Sequence, residues 1–115
     1  IHRYTSISAA AYEFKRVVLI EFPSGEHWST WELPEGFHYQ SSYANRIQLG
    51  CARETWQGIS IEFCQMVGQY EEYIVRFGTK ISPDYMTHAD FKVVVQAIDE
   101  RMGHYLGKKL VSPTP

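Results

Sequence analysis

Residues 87–106, THADFKVVVQAIDERMGHYL, decide the fold class. Phe91, Val94, Val95, Ile98, Met102, Tyr105 and Leu106 recur at i, i+3, i+4 and i+7, the stripe a helix lays against a core. Thr87 suits the N-cap, where its hydroxyl can accept from an early backbone N–H. Asp90, at the third helical position, favours the positive end of the dipole but is shorter than the Glu or Gln that best closes a capping box. Met86 and Phe91 have the spacing of a hydrophobic staple. Gly107 suits the C′ position, and Lys108 and Lys109 follow where positive charge is favoured. Each buried side chain of the stripe is worth about 1.5–2 kcal/mol gross, so this helix must lie on something apolar.

What precedes it reads as strands. Residues 1–10 are ambiguous, because Ile7, Ala10, Ala11, Phe14, Val17 and Val18 fit a helical period while a strand also fits from Phe14 onward. The β-branched run Val17-Val18-Leu19-Ile20 favours a strand from Phe14 to Phe22. Pro23-Ser24-Gly25-Glu26 then reads as a hairpin turn pairing Glu21 with Trp28 and Val18 with Trp31, which sends Trp31 and Trp28 to opposite faces. A further strand runs from Arg46 to Glu54 with Ile47, Leu49 and Cys51 inward. The next, Ile59 to Val67, carries Ile59, Ile61 and Phe63 inward and Ser60, Glu62 and Cys64 outward. Gly68-Gln69 reads as a turn, Tyr73, Val75 and Phe77 face inward on a last strand, and Gly78 to Tyr85 is a connection. The expectation is an α+β domain: about five hairpin-connected antiparallel strands over 14–77, the helix over 87–106 on one face, and a tail at 111–115.

Bulk properties bound the function. A chain of 115 residues, 44% hydrophobic and 21% charged, fits a single soluble globular domain. The formal charge of −2 argues against a surface that grips nucleic acid everywhere, so a basic site must be local. No stretch approaches a membrane span. The chain begins at Ile1, which leaves room for an upstream segment and any targeting signal it carries. Cys51 and Cys64 read as small buried thiols in a reducing, intracellular compartment, with one bridge between them as the alternative.

Catalytic and metal chemistry are not visible. His2, His27, His38, His88 and His104 show no HxxxH, HxH or His–Cys ligand spacing, so no metal or cofactor is expected. His88, at a helix start, sits where the dipole disfavours a cation. Ser41, Ser42 and His38 share a loop without a nucleophile-elbow motif, and no catalytic residue is assigned. The acidic residues read as a solvated face. The aromatic content, 15%, is more informative. Trp28, on the face opposite Trp31, keeps company with Lys15, Arg46 and Arg76, while Arg53 and Trp56 lie near one edge. Aromatic planes stack on bases and cations neutralise phosphates, so this mixture suits a single strand laid across a sheet. Glu21, Glu32 and Glu62 on the same face oppose that use.

The segment Thr87-His88-Ala89-Asp90-Phe91, with Val93, Val95, Ala97, Met102 and Leu106-Gly107, resembles the C-terminal helix of the Whirly family. Its members bind single-stranded DNA, and related folds bind guide RNA or carry PUR-type repeats. Val18-Leu19-Ile20-Glu21-Phe22-Pro23, followed by Trp28-Ser29, is similar to a strand and turn of the same family. The family's Lys-Gly-Lys-Ala-Ala-Leu motif is absent, Lys15-Arg16-Val17-Val18 being a loose echo. The chain is also shorter than a full Whirly domain with its two four-stranded sheets, so the resemblance implies a pared-down version or a half completed by pairing. It further implies an oligomer assembled through the helices, nucleic acid on exposed sheet surfaces and no catalytic residues. The expected function is thus non-enzymatic binding of single-stranded DNA or RNA, with Lys15, Arg46, Arg53 and Arg76 on phosphates and Trp28, Trp56 and Tyr43 stacking on bases. A protein-interaction domain of the subunit, inhibitor or immunity type, using an aromatic patch, is the alternative. A small-molecule site under the helix is the second.

Overall fold

In the computed structural model, residues 1–107 are described. The chain runs β1 (His2–Arg3), α1 (Ile7–Glu21), β2 (Arg46–Trp56), β3 (Ile59–Tyr70), β4 (Tyr73–Ile81) and α2 (His88–Tyr105). The strands form a four-stranded sheet in the order β1-β4-β3-β2, every pair antiparallel. Cys64, Met66 and Tyr70 of β3 pack with Phe91, Val95 and Met102 of α2. Val67, one residue out of phase with them, packs with Ala10, Phe14 and Val17 of α1. Odd and even strand positions point to opposite faces, so the two helices sandwich the sheet. The α+β class and antiparallel sheet are as expected; the strand count and the second helix are not.

α2 forms where the periodicity placed it. The Thr87 hydroxyl accepts from the Asp90 N–H at 3.1 Å, and the Asp90 carboxylate accepts from the Thr87 N–H at 3.0 Å. The shorter Asp therefore closes the capping box. Gly107, at φ +69°, takes the left-handed conformation expected past the helix end. Lys108, Lys109 and the tail at 111–115 lie outside the described residues. One stripe position departs: Tyr105 is exposed and meets the Tyr73 ring edge-on, while Asp99 takes a buried place on the core face.

The strand expected over Phe14–Phe22 is helical instead. Ser6 caps α1, its hydroxyl accepting from the Ala9 N–H at 3.0 Å. Ala10, Phe14 and Val17 are the buried face, so the period that starts at Ile7 overrides the β-branched run. Strand propensity spans only about 1 kcal/mol in a host protein, less than the burial of one large apolar side chain. The run misleads because Leu19 and Ile20 face solvent and obscure the stripe. With that strand gone, the hairpin at Pro23-Ser24-Gly25-Glu26 and the pairings of Glu21 with Trp28 and Val18 with Trp31 go too. Residues 22–45 form a long connection, tied to β2 by isolated bridges between Trp28 and Glu54 and between Glu32 and Cys51.

β2 carries Ile47, Leu49 and Cys51 toward the α2 core as expected. β3 does not follow its expected alternation. The register sets Cys51 opposite Cys64, which turns Cys64, Met66 and Tyr70 toward α2. Ile59, expected inside, is exposed at the strand's start. From Met66 to Tyr70 every residue of β3 is buried, because neighbouring strands flank it and a helix covers each face. A strand buried on both faces shows no alternation to read. The turn expected at Gly68-Gln69 falls instead at Glu71-Glu72, with Glu71 at φ +56°. β4 presents Tyr73, Val75 and Phe77 to the α2 core as expected, and extends to Ile81.

Candidate functional site

The register of β2 and β3 assembles the most chemically distinctive cluster. Cys51 and Cys64 stand directly opposite, with Cα atoms 4.0 Å apart, and are joined as a disulfide. The expectation of two thiols is thereby corrected to the bridged alternative. Glu62 precedes Cys64 by two positions on β3 and so shares its face. His88 enters from the first position of α2, fixed by the Thr87–Asp90 capping box. Its Nε2 lies 2.7 Å from Glu62 Oε2, and Arg53 Nη2 stands 4.0 Å from Glu62 Oε1. The two sulfurs, a Glu62 carboxylate oxygen and a His88 ring nitrogen all lie within 4.8 Å of one another. Both cysteines are buried, whereas the Glu62 and His88 side chains are partly open. A surface hollow of about 360 Å³ is lined by Arg53, Glu62, Ile81, Pro83 and His88, so the two partly open members of the cluster face solvent there.

These four residues come from three elements, so no local ligand spacing betrays them. The expected alternation also placed Cys51 and Cys64 on opposite faces. Only the true register of β3 brings Cys51, Glu62 and Cys64 together.

The residues expected to hold a single strand do not share one platform. Lys15 is exposed on α1. Arg46 and Arg76 lie on the sheet face that α1 covers, where Arg46 donates to Gln69 Oε1 at 2.7 Å and Arg76 pairs with Glu21 at 3.1 Å. Arg53 is on the opposite face, beside Glu62. Trp56 ends β2, 56% exposed, with its ring 4.2 Å from that of His27. Trp28 is half-buried and stacks on Trp31, ring centroids 5.2 Å apart, which corrects the expectation that the two part to opposite faces. The Trp31 indole N–H donates to the Pro23 carbonyl at 2.6 Å, and its ring meets Phe22 edge-on. Tyr43 is a core residue, 8% exposed. Its ring occupies the space that a side chain at position 103 would fill, so Gly103 is what lets α2 approach.

A second polar centre escaped the sequence reading. Asp99, 2% exposed, accepts from Tyr39 Oη at 2.5 Å, Ser41 Oγ at 2.6 Å and Tyr70 Oη at 2.7 Å. The Ser41 hydroxyl oxygen accepts in turn from the Tyr43 and Ala44 N–H groups. Burial and the adjacent carboxylate push the Tyr39 and Tyr70 hydroxyls well above the usual phenol range. Asp99 thus ties the long connection and β3 to α2. The signal was present: Asp99 stands four residues after Val95, a carboxylate on the apolar stripe.

Comparison with protein-family models, curated proteins and solved structures finds no match. None of the described helices is long and apolar enough to cross a membrane.

Proposed function

We propose that the chain is a non-enzymatic protein-interaction domain that associates through the outer face of α1. The observation that carries this reading is an exposed apolar stripe: Tyr12, Leu19 and Ile20 are 81%, 76% and 56% exposed. They stand at i, i+7 and i+8, one side of the helix opposite to its buried Ala10–Phe14–Val17 face. Large apolar side chains grouped in this way mark interaction surfaces. Lys15 and Arg16 stand on the turn between Tyr12 and Leu19, and Glu13 neutralises Arg16 at 2.8 Å, so the side carries little net charge to keep two copies apart across a two-fold axis. The first partner is accordingly a second copy of this chain, α1 against α1. Light scattering of the purified chain over a concentration series tests this. A dimer is expected, with Leu19→Glu monomeric at unchanged circular dichroism. A wild-type chain that stays monomeric throughout overturns self-association.

Single-stranded nucleic acid is the second reading, and the exposed Trp56 ring beside His27 is the observation that favours it. The Whirly resemblance also points this way. Against it, Arg3, Arg16, Arg53 and Arg76 each already hold a carboxylate of the same chain, which competes with phosphate. Fluorescence anisotropy with a labelled oligonucleotide decides: log affinity should fall by about 0.7 per neutralised phosphate against log salt, and be lost in Trp56→Ala. Silence at low salt removes this reading.

A further inference from the structure

We propose that Cys51, Cys64, His88 and Glu62 form a Zn²⁺ site when the Cys51–Cys64 bridge is reduced, so that disulfide and metal are alternative cross-links of the same place. The sulfurs face the core beneath α2, and the acid and imidazole stand beside them within 4.8 Å. A disulfide requires only the two cysteines. The convergence of a carboxylate and a ring nitrogen on the same spot supplies the remaining ligands of a four-coordinate ion. Zinc bonds of about 2.3 Å to sulfur and 2.0–2.2 Å to nitrogen or oxygen place tetrahedral ligands roughly 3.3–3.8 Å apart. Cleaving the bridge lets the sulfurs part to that separation by side-chain rotation, and His88 Nε2 and Glu62 Oε2, now 2.7 Å apart, open by a smaller amount.

Charge and access fit the same ion. Two thiolates and a carboxylate around Zn²⁺ leave a net charge of about −1, which Arg53 beside Glu62 and the positive end of the α2 dipole both favour. Glu62 and His88 line a surface hollow together with Arg53, Ile81 and Pro83, so two of the four ligands meet solvent directly. Reduction by a dithiol breaks the S–S bond with two electrons and two protons, leaving the reductant as its own disulfide. Zinc then displaces the two thiol protons.

The test uses the full chain. It is reduced anaerobically with a dithiol, freed of reductant by gel filtration and titrated with Co²⁺ as the spectroscopic probe. One equivalent should bind, with thiolate charge-transfer absorption and the visible bands of a tetrahedral ion, and Zn²⁺ should displace it. The oxidised chain should give neither signal. His88→Ala and Glu62→Gln, both at partly open positions, should each weaken Co²⁺ binding about tenfold or more. If both variants bind like the parent, or the reduced parent binds no Co²⁺ through sulfur, the site does not exist. Should the reduced chain lose its fold, Zn²⁺ must restore the native circular dichroism; failure to do so equally overturns the proposal.

Discussion

α1 and α2 cover opposite faces of one sheet, yet the sequence announces one and conceals the other. On α2, Phe91, Val95 and Met102 are buried and Lys92, Gln96, Glu100 and Arg101 lie toward solvent or at the margin, while Val93 and Tyr105 are exposed and Asp99 is buried. α1 keeps apolar residues on both sides, with Phe14 and Val17 inside and Tyr12, Leu19 and Ile20 outside. α2 is legible because a capping box marks its start, whereas the β-branched run Val17-Val18-Leu19-Ile20 at the end of α1 imitates a strand.

The sharpest way to break this comparison is to truncate an apolar residue on each side. Phe91→Ala should cost about 3–5 kcal/mol, because its ring is fully buried against Phe37 and Phe77. Leu19→Ala should change the stability of the monomer by no more than about 0.5 kcal/mol. Urea unfolding at a concentration below any self-association measures both. A large loss at Leu19 would place it in a core and remove the α1 interface.

The two faces also differ in how they are fastened. On the α1 side Phe14 and Val17 pack on Val67 and Ile74 and the polar ties, Gln69 to the Ile7 carbonyl and Arg76 to Glu21, lie at the helix ends, whereas on the α2 side buried Asp99 gathers the hydroxyls of Tyr39, Ser41 and Tyr70. Because the folded state raises the Tyr39 and Tyr70 pKa values, it binds their protons more tightly than the unfolded chain does. The stability they contribute is full below about pH 10, where unfolded tyrosine remains neutral, and declines as pH rises above it. The urea midpoint should therefore hold up to about pH 10 and fall progressively above it. Tyr70→Phe should be less stable at neutral pH and show a shallower alkaline decline. An equal slope in the variant would show that the hydroxyl of Tyr70 is not the group responsible.

These contrasts explain what could be read in advance. The α2 boundary, its caps and the inward faces of β2 and β4 are local patterns, set by residues a few positions apart. The parity of β3 is not local, since both its faces are buried from Met66 to Tyr70. Nor is the cluster of Cys51, Glu62, Cys64 and His88, which depends on that parity and on where α2 begins. Tyr43 illustrates the same limit from the other side. It looked like a stacking residue in an aromatic loop, and only the gap at Gly103 shows that the ring belongs to the core. Trp28 was placed by a hairpin that depended on α1 being a strand, so one wrong element displaced a nominated site.

The smallest expected difference lies at the helix starts. Thr87 and Asp90 satisfy two backbone N–H groups reciprocally, whereas Ser6 satisfies the Ala9 N–H and α1 has no acidic residue in its first turn. Removing a capping hydroxyl costs about 0.5–2 kcal/mol. Thr87→Ala should fall in the upper part of that range, because Asp90 also loses the partner that holds its carboxylate over the cap. Ser6→Ala should fall in the lower part, since α1 is held chiefly by Ala10, Phe14 and Val17 further along. Thr87→Ala has a second consequence that Ser6→Ala lacks: fraying the first turn of α2 releases His88 from Glu62. Hydrogen exchange at the amides of residues 88–91 should then accelerate in Thr87→Ala alone. If the two substitutions cost the same and neither speeds exchange at the start of α2, the capping box is not what positions His88.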